Sequence, residues 1–131
     1  MPPAYLLDTS ACIPVLRNQT GLGKLPAPAR TGIPVIVAAE LWTGVKKNLR
    51  THPHQAARLE AFLSLFQLAD FTLDAALRYA DIRADLEAAG TLIGPLDLLI
   101  AAQARSLGAT LVTANIGEFK RVKGLKVHAW K

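Results

Sequence analysis

Four apolar runs in this chain each carry an acid: Asp8 in YLLDTS, Glu40 in VIVAAELW, Asp97 in GPLDLLIAAQA and Glu118 in TLVTANIGEF. Runs of this kind have to be buried, yet an ionised carboxylate among them is expensive without a partner, and none of the four segments contains a lysine or arginine. The fold must therefore deliver these acids to a place that a cation can reach. The other six of the ten acids look ordinary. Glu60, Asp81, Asp85 and Glu87 lie in helical stretches near Arg58, Arg78 and Arg83, and Asp70 and Asp74 sit at a strand-to-helix turn. The spacings Arg83/Glu87 and Arg78/Asp81 suit surface pairs on a helix.

The apolar runs also set the element order. Ala4–Leu7 reads as a buried strand ending at Asp8, and Ser10–Arg17 as a helix that Pro14 keeps short or kinked. Residues 18–32, rich in glycine and proline, form a connection with room for one short helix. The β-branched run Pro34–Val37 predicts a second strand, followed by a helix over Ala39–Leu49 with Glu40 in its first turn. Pro53 suits the first turn of a helix to Leu65, and Gln67–Phe71 suits a short strand. A helix over Leu73–Ala89 stops at Gly90, and one opened by Gly94 and Pro95 runs to Leu107 with Asp97 in its first turn, ended by Gly108. Thr110–Thr113 is a strand, a polar turn at Asn115–Gly117 holds Glu118 nearby, and Lys126–Ala129 closes the chain as a strand. This order predicts an α/β fold with a mainly parallel sheet of about five short strands and helices on both faces.

With 131 residues and 51% hydrophobic content, the chain is expected to form one domain, 1–131, with a core that needs no disulfide. Cys12 is the lone cysteine, which suits a reducing cytosol, and no apolar run approaches the length of a membrane span. The expectation is a soluble, cytoplasmic protein. A net charge of +5 and the clusters Lys46, Lys47, Arg50 and Lys120, Arg121, Lys123, Lys126 attract a polyanion, with solubility as the competing explanation.

In an open parallel sheet, ligands bind beyond the carboxyl ends of the strands, where acids distant in sequence can meet. Four carboxylates there repel one another unless a cation joins them. With no histidine or cysteine nearby, the natural one is hard and oxygen-loving, magnesium or manganese. Such an ion activates water and stabilises a leaving oxyanion, which is the chemistry of phosphodiester hydrolysis. Thr9, Ser10, Thr113 and Asn115 flank the acids and supply hydroxyl and amide groups either for this site or for caps and turns. His52, His54 and His128 have no recognisable ligand spacing, and Trp42 fits a core position better than the site.

The segments LLDTS, AAELWTGV, IGPLDLLIAAQARSLGATLVT and NIGEFKRVKGLKV, which together span nearly the whole chain, resemble PIN-domain ribonucleases. More narrowly they resemble the VapC-type toxins of toxin–antitoxin pairs. The resemblance implies a PIN-like fold and a cytoplasmic, Mg²⁺- or Mn²⁺-dependent endoribonuclease that cleaves RNA and inhibits translation. It further implies a homodimer and inhibition by a VapB-like antitoxin. By position, Asp8, Glu40 and Asp97 match the family's metal-binding carboxylates and Glu118 its fourth acid. Thr9, Ser10, Thr113 and Asn115 fall at supporting positions. Ser10 stands where many relatives have asparagine, and Glu118 where aspartate is frequent, so its longer arm is expected to reach metal through water.

Rival chemistries find less support. There is no G-x-S-x-G elbow, GLGK at Gly21–Lys24 lacks the spacing of a phosphate loop, and Ser10 stands where an aspartyl phosphatase wants a second aspartate. The remaining alternatives are a metal-dependent DNA nuclease, an RNA-processing enzyme of the same class that is not a toxin, and a non-catalytic binding module.

Overall fold

The computed structural model describes residues 2–130; Met1 and Lys131, the ends of the expected 1–131 domain, lie outside the described residues. Leu6 and Leu7 are fully buried because their strand, β1 (Tyr5–Leu7), is the middle one of five. On one side it pairs with β2 (Thr31–Pro34) and on the other with β4 (Thr110–Thr113); β3 (Gln67–Ala69) and β5 (Lys126–Ala129) form the edges. All four pairings are parallel, in the order β3-β2-β1-β4-β5, so the winding direction reverses between β1 and β4. Crevices that hold ligands form at such reversals, beyond the carboxyl ends of the strands.

Helices flank the sheet as expected: α1 (Thr9–Leu16), α2 (Val35–Lys47), α3 (Gln55–Leu63), α4 (Leu73–Ala89), α5 (Pro95–Leu107) and the short α6 (Ile116–Phe119). The first three pack against one another, and α4 packs along α5. Fully buried Ile100, Ala101, Ala102 and Ala104 make α5 the central helix that its nearly unbroken apolar sequence implied. The expected helix over Ser10–Arg17 appears as α1, and Pro14 sits inside it, withholding one ladder hydrogen bond from the Ser10 carbonyl. Gly90 and Gly108 end α4 and α5 with φ of 68° and 64°, left-handed conformations that other residues adopt at a cost.

The second strand and its helix lie earlier than expected. Thr31–Pro34 pairs with β1 and β3, and Val35–Val37 opens α2. Strand propensity of the β-branched run loses to packing, because Val37, Leu41 and Val45 recur every fourth residue and bury one stripe of the helix. Gly32 is needed in the strand: a Cβ there would meet Pro3 Cγ at 3.0 Å, Leu6 Cδ2 at 3.1 Å and the Gln67 carbonyl at 3.2 Å. As a result Glu40 lies in the second turn of α2, not at a strand-to-helix corner. The turn expected at Asn115–Gly117 likewise runs into α6, placing Glu118 on a helix.

Two of the four acids of α4 find cations. Arg83 Nε meets Glu87 at 3.1 Å as expected, but Arg78 pairs with Asp74 at 3.8 Å instead of Asp81, following the better-oriented acid-first i,i+4 spacing. Trp42 packs against the core, and His52, His54 and His128 are exposed. Cys12 is buried beside Asp8, and burial pushes its thiol well above the ordinary range. No helix among the described residues is long and apolar enough to cross a membrane.

Candidate metal centre

Asp8 is both the last residue before α1 and its cap. The backbone N–H of Asp8 donates to the Val112 carbonyl, extending the strand pairing by one step, while its carboxylate turns to accept the Ala11 N–H at 3.0 Å. Two hydroxyls complete its shell. Ser10 Oγ donates to Oδ1 at 2.6 Å, and the Thr113 hydroxyl donates to Oδ2. Ser10 Oγ also accepts the Ala114 N–H at 2.9 Å, and Thr113 Oγ1 accepts the Asn115 N–H at 2.9 Å. The ends of β1 and β4 are thus tied together at the reversal of the sheet. Asp8 is only 4% exposed, and burial raises its pKa against the pull of Ser10, Thr113 and Ala11.

Glu40 reaches the same corner from α2, where Thr9 Oγ1 donates to its Oε1 at 2.7 Å. Asp97 occupies the first turn of α5 and Glu118 projects from α6. The carboxylate of Glu118 accepts the Gly94 N–H at 2.7 Å and the Asn115 side-chain amide at 2.6 Å, and its pKa is held down, first by the Gly94 N–H. Gly94 is a site residue that the sequence does not advertise: it marks the start of α5, but nothing local says that its N–H aims at an acid twenty-four residues later.

Asp97 has the opposite surroundings. Burial, the charge of Glu118, the charge of Asp8, a hydrogen bond with Glu118 and the charge of Glu40 together raise its pKa to about 6. Asp97 therefore lies in the field of the other three acids, Glu118 foremost among them. Among the described residues, neither of the two salt bridges involves any of the four, and no three acidic, histidine or cysteine side chains form a ready-made cage. The donors are all oxygen, one carboxyl is crowded by acids whose repulsion a cation would relieve, and the spacing is open. This fits a hard divalent ion that retains much of its water and takes only one or two carboxylates directly. It does not fit zinc, which prefers nitrogen and sulfur.

Comparison with known proteins identifies the family. The PIN domain family matches residues 5–125. Ribonuclease VapC2 of Rickettsia felis is 37% identical, over 96% of this chain and 97% of that protein. The tRNA(fMet)-specific endonuclease VapC of Salmonella typhimurium is 33% identical over the same shares. Among solved structures, VapBC2 from Rickettsia felis bound to a DNA fragment from its promoter contains a chain that superposes with a TM-score of 0.89 at 36% identity, covering 97% of this chain and 98% of that one.

Proposed function

Because the chain belongs to the PIN-domain family, and within it to the VapC ribonucleases of toxin–antitoxin pairs, we propose that Asp8, Glu40, Asp97 and Glu118 are its catalytic, metal-holding carboxylates. The chain is a nuclease that hydrolyses phosphodiester bonds in RNA. The ion is Mg²⁺ or Mn²⁺, and the observation that carries this assignment is Asp97, a half-buried carboxyl whose charged neighbours are mostly acids.

A bound divalent ion supplies positive charge against the scissile phosphate and lowers the pKa of water. The chain's own residues do the positioning. Ser10, Thr113 and the Ala11 N–H leave the Asp8 carboxylate little freedom to turn, so it would present itself to an ion pre-oriented. Thr9 holds one oxygen of Glu40 and leaves the other free. Glu118, pinned by Gly94 and Asn115, stands beside Asp97 and would add its negative charge to the site that holds the ion. Asp97, crowded by the other acids, would be the carboxylate that gains most from a cation beside it. The exposed clusters Lys46–Arg50 and Lys120–Lys126 guide the polyanion to the site.

In this reading one domain, acting as a homodimer in the cytoplasm, cleaves RNA and so inhibits translation until a VapB-like antitoxin binds it. The test is digestion of a total RNA mixture by the purified protein with Mg²⁺ or Mn²⁺, with EDTA, and with the Asp97→Asn variant. Discrete cuts that need metal and vanish in the variant are expected. Cleavage that survives EDTA or the substitution overturns the mechanism, and cleavage of DNA alone overturns the substrate.

A further inference from the structure

A cavity of about 320 Å³ opens between α1, α2 and α3, with Thr9 and Glu40 of the acid centre in its wall. One side is apolar, made by Ile13, Leu16 and Leu41. Two guanidiniums, Arg17 and Arg58, stand at the rim, exposed and without an ion pair among the described residues, and Glu40 is the one acid facing them. The side-chain amides of Asn48 and Gln55 complete the lining.

Gly44 adds an independent observation. It lies inside α2, where glycine is the least favourable residue after proline, and it lines this cavity. A Cβ built on it meets nothing within 4 Å, so the fold makes no demand for a bare backbone there. The open space over it leaves room for a ligand to rest directly against the helix.

We propose that this cavity seats the nucleotide flanking the scissile phosphate of a single-stranded RNA. The assignment rests on the acid cluster being the cleavage centre, which the cavity adjoins through Glu40. The base lies on the apolar wall over Gly44, with Asn48 and Gln55 placed to read its edge. Arg17 and Arg58 hold the neighbouring backbone phosphates, where guanidiniums can bind in a bidentate manner. Two cations facing one acid, beside a centre built for phosphodiesters, favour a nucleic acid over a neutral peptide.

The test uses the full chain carrying Asp97→Asn, so that RNA is bound but not cut, and a short fluorescein-labelled single-stranded RNA followed by anisotropy. Arg17→Gln combined with Arg58→Gln is expected to weaken binding about tenfold or more and to reduce the slope of log K against log salt by about 1.4, the value for two phosphate contacts on a single strand. Gly44→Leu, which fills the cavity without adding charge, is expected to weaken binding with the slope unchanged. In the active background the same substitutions raise KM and shift the preferred cut positions. Cleavage-competent variants with unaltered affinity, slope and cut positions overturn the cavity assignment alone. Variants that keep RNA binding but escape the antitoxin assign the cavity to a peptide and also overturn it. Wild-type protein that leaves RNA intact in Mn²⁺ overturns the cleavage reading itself, and this one with it.

Discussion

Asp8 and Asp97 belong to one acid cluster, yet the chain treats them in opposite ways. Asp8 is nearly sealed from water, and both its oxygens are filled by neutral donors from α1 and β4. Asp97 is half-buried, and burial together with the charges of the other acids raises its pKa to about 6. Dipoles can orient a carboxylate without neutralising it, whereas three neighbouring charges can be offset only by a proton or a cation. On the proposed assignment, the Asp8 side would be built before an ion arrives and the Asp97 side completed by one. The same division would let a metal site form without a preformed cage.

The sharpest way to break the comparison is to neutralise each acid in turn. Asp97→Asn and Asp8→Asn are both expected to lower RNA cleavage on the order of a thousandfold or more, the scale of losing a charge-stabilising group. Their stabilities should diverge. Without metal at pH 7.5, Asp97→Asn removes repulsion and raises the melting temperature, while an asparagine at position 8 must set its NH₂ against one of the donors that now serve Asp8. Equal stabilisation by both substitutions would show that the two acids are not held differently. Added Mn²⁺ should raise the melting temperature of the wild type and leave that of Asp97→Asn nearly unmoved.

A pH titration of stability probes the same contrast at smaller amplitude. The folded chain keeps the Asp97 proton up to about pH 6, whereas an unfolded aspartate releases it near 3.8. More protons bound in the folded state means that metal-free stability falls as pH rises through this window. The depressed Glu118 acts with the opposite sign, its contribution present above the ordinary 4.5 and lost as pH falls below that value. Urea unfolding between pH 4 and 7 should show the Asp97 decline in the wild type and a flatter profile in Asp97→Asn.

Much of this was readable in the chain because the signals are local. Gly90, Gly94, Pro95 and Gly108 mark the bounds of α4 and α5, and Thr110–Thr113 is a strand by composition alone. The error at β2 and α2 came from a β-branched run whose helical stripe, Val37, Leu41 and Val45, was the better signal. Within the site, Thr9, Ser10, Thr113 and Asn115 were placed among the acids by their neighbours in sequence, and each proves to hydrogen-bond one of them. The contact of Gly94 with Glu118 depends on how the start of α5 and α6 come together in the fold, which no segment encodes by itself.

Thr113→Val tests the Asp8 side directly, since valine keeps the shape and removes the hydroxyl. Thr113 is fully buried, donates to Asp8 and accepts the Asn115 N–H, so the substitution leaves two polar groups short of a partner. A hydrogen bond to a charged group contributes about 1.5–3 kcal/mol, and a loss on that scale is expected in urea unfolding. Cleavage should fall as Asp8 loses a fixed orientation.

The smallest effect belongs to the acids that already have cations. Glu87 pairs with Arg83 on the open face of α4, and water screens both. Neither charge is needed by the other for burial, in contrast to Asp97, which has no salt-bridge partner among the described residues. Glu87→Gln is expected to leave melting temperature, metal response and RNA cleavage where they were. A metal response altered by this substitution would mean that charge anywhere on the surface tunes the centre, and the contrast between Asp8 and Asp97 would then reflect the protein's overall field and not the packing around each acid.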